Sequence, residues 1–117
     1  MATINIKRAY VPKEKSDGFR VLVDRLWPRG IKKEELPVDM WLKEIAPSDE
    51  LRKWFDHDEK KWSAFKDKYN DELRHSPITK EIFALVKKHE TVTLLYSAKD
   101  ALHNQAVVIK EFLERES

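Results

Sequence analysis

The chain opens on an alternation. In "INIKRAY" the apolar Ile4 and Ile6 are separated by polar residues, the period of a strand with one covered face. "VPKEKSDG" breaks that period with Pro12 and Gly18 and predicts a loop. In "FRVLVD" the apolar residues Val21, Leu22 and Val23 run together, as in a strand covered on both faces. "RLWPRGIKKEELP" is irregular, because Pro28 and Gly30 forbid regular structure, and it leaves room for a short helical turn over Lys32 to Leu36. Asp39 is expected to cap a further short turn containing Met40, Trp41 and Ile45.

From Ser48 the period becomes helical. Ser48 is a suitable N-cap, Asp49 and Glu50 suit the first turn, and Leu51, Trp54 and Phe55 fall on one face. Asp56 or Asp58 restarts a helix in which Trp62, Phe65, Tyr69 and Leu73 form an apolar stripe. Ser76 followed by Pro77 begins another, with Ile78, Ile82, Leu85 and Val86 as its buried face. "TVTLLYSAKD" is the strongest strand, dense in β-branched and aromatic residues. Asp100 then caps a last helix opening at about Ala101, with Leu102, Ala106, Ile109 and Leu113 at helical spacing.

Strand, strand, several helices, strand, helix is the order of an α/β fold. It predicts a small two- or three-layer structure, with a mostly parallel sheet of three or four strands flanked by helices. The connection between the first two strands is shorter than most parallel crossovers, which leaves an antiparallel first pair open. Neither repeats nor a linker interrupts residues 1–117, so a single domain is expected.

Composition narrows the function classes. The 117 residues are 41% hydrophobic and 38% charged, enough apolar material for one core under a heavily charged surface. There is no cysteine, which excludes disulfides, thiolate metal sites and a cysteine nucleophile, and suits a reducing cytoplasm. The first residues lack the apolar stretch of a secretion signal, and no run approaches the roughly 20 apolar residues of a membrane span. The net charge of +2 is spread over interleaved signs and makes no bulk case for nucleic acid. The aromatic residues among the lysines of "KKWSAFKDKY" are better explained as a core stripe beside a wet face.

Candidate chemistry gathers where strands end, since ligands of open α/β sheets collect beyond the carboxyl ends. One such segment is Asp24-Arg25-Leu26-Trp27-Pro28-Arg29-Gly30; the other is Ser97-Ala98-Lys99-Asp100, leading into the last helix. Arg25 and Arg29 offer planar forks for an anion, Lys99 a further charge, Ser97 a hydroxyl, and the helix N-terminus backbone N–H groups. Asp24 is a candidate to orient an arginine or take a proton. His103, expected in the first turn of that helix, is a candidate donor or base, with Asn104 beside it. Each has a structural alternative: an Asp24–Arg25 pair that pins its loop, Trp27 as a lid on the core rather than a stacking surface, and Asp100 as an N-cap. Ser97 lacks the glycine-flanked elbow of a nucleophile. His57, between two aspartates, has no second ligand at metal-binding spacing and reads as a cap or surface ion pair; His75 and His89 sit near helix C-termini.

In order along the chain, "IKRAY", "DGFRVLVDRLWPRGIKKE", "WLKEIAPSDELRKWFDHD", "WSAFKDKYNDEL" and "VTLLYSAKDALHNQAVVIKEFL" resemble the motifs of the YeaO-like proteins, a bacterial family of domain of unknown function 488. The resemblance covers nearly the whole chain and implies no assigned activity. Longer relatives in that family carry a "DVR" motif that lines up with Val23-Asp24-Arg25. Their second motif, an acid-rich strand end followed by cysteine, histidine and arginine, lines up with the segment around His103-Asn104-Gln105. The cysteine and arginine are missing here, so any thiol chemistry of those relatives is closed to this chain. The resemblance implies two strand-end loops converging on one site.

The expectation is an α/β protein that binds a small anionic, phosphate-bearing or nucleotide-like ligand at the carboxyl ends of its strands. Arg25, Arg29, Trp27, Ser97, Lys99 and Asn104 are the candidate contacts, and Asp24 and His103 the candidates for any catalysis. The alternative is a nucleic-acid-binding or protein-interaction module with no catalysis. No cofactor, metal or membrane partner is expected.

Overall fold

A computed structural model describes residues 2–116. Four strands form one sheet: β1 (Thr3–Arg8), β2 (Phe19–Leu22), β3 (Met40–Trp41) and β4 (Thr91–Tyr96). Their spatial order is β1-β4-β2-β3, and every neighbouring pair is parallel. The first two strands do not pair, because β4 lies between them. The short connection over residues 9–18 therefore passes a strand rather than closing a hairpin, and the antiparallel alternative falls away. β4 is central, as its run of β-branched and aromatic residues requires.

The helices are α1 (Asp49–Phe55), α2 (Trp62–His75), α3 (Ile78–Lys88) and α4 (Gln105–Glu116). All four bury side chains in one core against Val21 and Val23 of the second strand segment and Val92, Leu94 and Tyr96 of β4. The intervening Leu22 and Leu95 point to the opposite face, where Ala9 and Leu36 join them with Trp27, Ile31, Val38 and Trp41 around the edge. Thus the sheet is covered on both faces, as the run Val21-Leu22-Val23 implies, but loops rather than helices cover the second. Among the described residues no helix is long and apolar enough to cross a membrane.

Several local expectations hold. Ser48 Oγ accepts from Leu51 N–H at 3.2 Å and caps α1. Asp58 caps a short 3-10 turn, Glu59–Lys61, that runs into α2. Phe65, Tyr69 and Leu73 are buried along α2, while Trp62 is half-buried at its start.

Others are corrected. Met40 and Trp41 form an edge strand instead of a capped turn: they pair with Val21 and Leu22, and Asp39 accepts the Arg20 N–H at 2.8 Å. Sheet pairing overrides a local pattern too short to decide. Trp54 faces solvent, with the Lys61 and Lys68 ammonium groups 5.1 and 5.0 Å from its ring. α4 begins at Gln105 rather than near Ala101. Asp100 caps only the preceding turn, and Leu102 is exposed rather than part of the helical stripe.

Candidate functional site

Beyond the carboxyl ends of β2 and β4 lies a cleft of about 320 Å³, walled by the loop after β2, the Ala46-Pro47 segment, the end of α1, Ser97-Ala98 and His103-Asn104-Gln105. The two strand-end loops picked out by the sequence do converge. Asp24 joins them: its Oδ2 accepts the Ser97 N–H at 2.9 Å and its Oδ1 accepts from Gln105 Nε2. Trp41 Nε1 donates to the Asp24 carbonyl at 2.7 Å, fixing the acid from behind. Burial pushes the Asp24 carboxyl above its ordinary value, and the hydrogen bonds from Ser97 and Gln105 oppose that rise. Both carboxylate oxygens are thus committed within the fold.

Arg25 does not pair with Asp24. Its Nη2 donates to the carbonyls of Ala46 and Pro47 at 3.1 and 3.3 Å, and its buried Nε has no hydrogen-bond partner among the described residues. Asp49 Oδ1 lies 4.0 Å from that Nε but spends its closer contact, 3.1 Å, on Arg52. Arg25 therefore fastens the wall in front of α1 while lining the cleft. We expect Arg25→Ala to lower stability by about 1.5 kcal/mol, the worth of hydrogen bonds from a charged donor; urea denaturation measures it.

Arg29 lines the cleft, and its guanidinium has no partner among the described residues; only its carbonyl is engaged, by Tyr10 Oη at 2.7 Å. Trp27 lines the cleft too, with Nε1 donating to Ile31 O at 2.7 Å and its ring edge-on to Trp41 at 5.5 Å. Ser97 is half-buried in the wall. Lys99 is exposed and outside the lining, so its loop does not deliver the expected charge. Asn104 is buried and spent on structure: Oδ1 caps α4 by accepting from Ala106 and Val107 N–H, and Nδ2 donates to the Asp100 carbonyl. A capping amide offers a ligand little, so the anion-binding helix terminus foreseen near Ala101 is replaced by a capped one four residues on.

His103 lines the cleft with Nδ1 2.8 Å from Asp100 Oδ2 and its ring edge-on to Trp62 at 5.2 Å. Asp100 is held below its ordinary value first by the Leu102 N–H and then by His103, against a desolvation effect. Glu59, Asp100 and His103 bring one possible ligand atom each within 4.8 Å of one another. Asp100 is already bonded to His103 and two backbone N–H groups, however, so the cluster is accounted for without an ion.

Sequence reasoning missed Arg52, Gln105 and the cleft-lining placement of His57. Asp56 and His57 adopt consecutive left-handed conformations, φ 44° and 56°, which end α1 abruptly and turn His57 into the wall. Arg52 stands one turn before Phe55, so a helix whose apolar face meets the core places it at the cleft edge. That relation is readable only once α1 has a position.

These features define a parallel α/β domain with an arginine-lined cleft at its strand ends. The chain belongs to the DUF488 family: the family model described as "Inactive DUF488-N3 subclade" matches residues 3–117. It is similar to the uncharacterized protein YeaO of Escherichia coli (strain K12), 47% identical over 94% of this chain and 96% of that protein. It is also similar to an uncharacterized protein of Mycobacterium tuberculosis (strain ATCC 25618 / H37Rv), 34% identical over 94% of this chain and 92% of its own. No solved structure matches it significantly.

Proposed function

We propose that this protein binds a small phosphate-bearing anion in the strand-end cleft and performs no chemistry on it. The observation that carries this reading is the Arg29 guanidinium, without a partner among the described residues, in a cleft that Arg25 and Arg52 also line and whose one acid among the described residues, Asp24, is buried and has both oxygens bonded. Guanidinium groups around a concave surface attract anions and bind phosphate oxygens in pairs. An acid saturated by Ser97 and Gln105 is poorly placed to move a proton, and the chain has no thiol. The matching family's description as an inactive subclade agrees with a binding role. The cysteine-free sequence agrees with a cytoplasmic location.

Thermal unfolding with phosphate, sulfate and nucleoside monophosphates at low ionic strength tests it. A ligand at one hundred times its Kd adds about 2.7 kcal/mol of stability. Arg29→Ala is expected to leave the unliganded melting temperature unchanged and to weaken binding roughly fivefold, the upper worth of a solvent-exposed ion pair. Melting temperatures unmoved by every anion would end this reading. An anisotropy signal with single-stranded oligonucleotides alone, falling steeply with salt, would replace it with nucleic-acid binding.

A further inference from the structure

Resting on the anion reading above, we infer that the ligand's anionic group is attached to a flat aromatic body: the cleft is built for an aryl phosphomonoester rather than for inorganic phosphate. The volume of about 320 Å³ lies within the range of roughly 300–1,000 Å³ typical of organic-ligand sites, and a bare oxyanion fills a small part of it. Most of the wall is apolar. Phe55 and Phe65 stack on each other with centroids 4.3 Å apart, and Ala46, Pro47 and Trp27 continue the surface. A site for phosphate or sulfate alone needs donors on all sides, because an anion gains nothing from such neighbours and loses hydration beside them.

Leu26 adds an independent observation. It is 69% exposed, belongs to neither core cluster, and lines the cleft. The fold does not require a leucine there; a ligand with an apolar body gives it something to cover. The combination of aromatic walls with arginines suits a ring in particular, since planar guanidinium groups and aromatic rings both pack against flat faces. Arg29 takes the phosphate, with Arg52, already paired with Asp49, adding charge from the cleft edge, while Leu26, Trp27 and the edges of the phenylalanine pair take the ring.

Isothermal titration at fixed low ionic strength with inorganic phosphate, butyl phosphate and phenyl phosphate tests the inference. Phenyl phosphate is expected to bind at least tenfold tighter than inorganic phosphate, since burying half a ring is worth that much. It is also expected to bind at least threefold tighter than butyl phosphate. Leu26→Ser, at an exposed position that leaves the core intact, is expected to cut the phenyl-over-inorganic ratio at least threefold. Equal affinities for phenyl and inorganic phosphate would overturn the inference and leave the anion reading standing. Butyl phosphate binding as well as phenyl phosphate would overturn the aromatic assignment. No binding by any of the three would remove both.

Discussion

Asp17→Asn is expected to cost about 3 kcal/mol or more, the usual penalty for leaving a buried charge without its partner. Arg20 is the largest fully buried side chain, 1% exposed on β2. Its Nη1 meets Asp17 Oδ2, and its Nε donates to the Pro37 carbonyl at 2.8 Å. Asp17 also receives Lys7 Nζ at 3.0 Å and the Glu14 N–H at 3.0 Å. Asparagine keeps an acceptor for one donor but removes the charge that allows a guanidinium to sit in the interior. Arg20→Met costs less, because Lys7 still neutralises Asp17. The double variant is expected to recover at least half of the Asp17→Asn loss, since an apolar replacement of a buried pair is often neutral. For a domain this size the single loss corresponds to roughly 10–15 °C in Tm. Urea denaturation at unchanged m-value measures it, and a cost below about 1 kcal/mol would reduce the pair to the worth of a surface ion pair.

The same carboxylate sets an acid limit. Burial pushes Asp17 up, but hydrogen bonds from Glu14, Lys7 and Arg20 outweigh it and hold the group below its ordinary value of 3.8. A depressed carboxylate contributes stability that is fully present above its unfolded value and is lost as pH falls through the folded one. The stability gap between the natural protein and Asp17→Asn is therefore expected to be constant at neutral pH and to close below pH 3.8.

The buried pair shows where sequence reading stops. Arg20 lies in "FRVLVD", a strand covered on both faces, where the pattern gives no partner for a buried guanidinium; what accommodates it is Asp17 in the preceding loop and Pro37 beyond the strand. No pattern along the chain couples those three. By contrast, Ser48, Asp58 and the stripe Phe65, Tyr69 and Leu73 act within one or two turns, so local spacing suffices. The convergence of the Asp24 and Ser97 loops was legible because parallel strands bring their carboxyl ends to one side. The individual roles were not. Asn104 and Asp100 are both good caps, and only the packing of α4 decides which one opens the helix. Arg25 and Arg29 look alike in sequence; the nearness of the Ala46 and Pro47 carbonyls makes the first a strut and leaves the second facing solvent.

Gly18→Ala is the other large loss, expected at about 3 kcal/mol from backbone strain and overpacking together. Gly18 has φ 64° and ψ −134°, a combination that a side chain resists. A Cβ there would stand 2.4 Å from the Thr91 carbonyl oxygen and 2.8 Å from the Thr91 Cβ. Those atoms belong to the first residue of the central strand, which is held in register with Phe19 and Arg20 immediately after the glycine. Relief requires β2 to move away from β4, and Thr93 Oγ1, which donates to the Asp17 carbonyl at 2.7 Å, resists that movement. Gly18→Ala and Asp17→Asn consequently act on one joint, and their combined loss is expected to be smaller than the sum. The joint lies at the amino end of β2, and Asp24 lies beyond its carboxyl end. Six residues of extended chain separate Gly18 from Asp24, roughly 20 Å. Either variant should therefore melt early yet bind the cleft ligand with natural affinity when assayed well below its Tm. A matching loss of affinity in the folded variant would show that the cleft depends on the whole strand rather than on its carboxyl end.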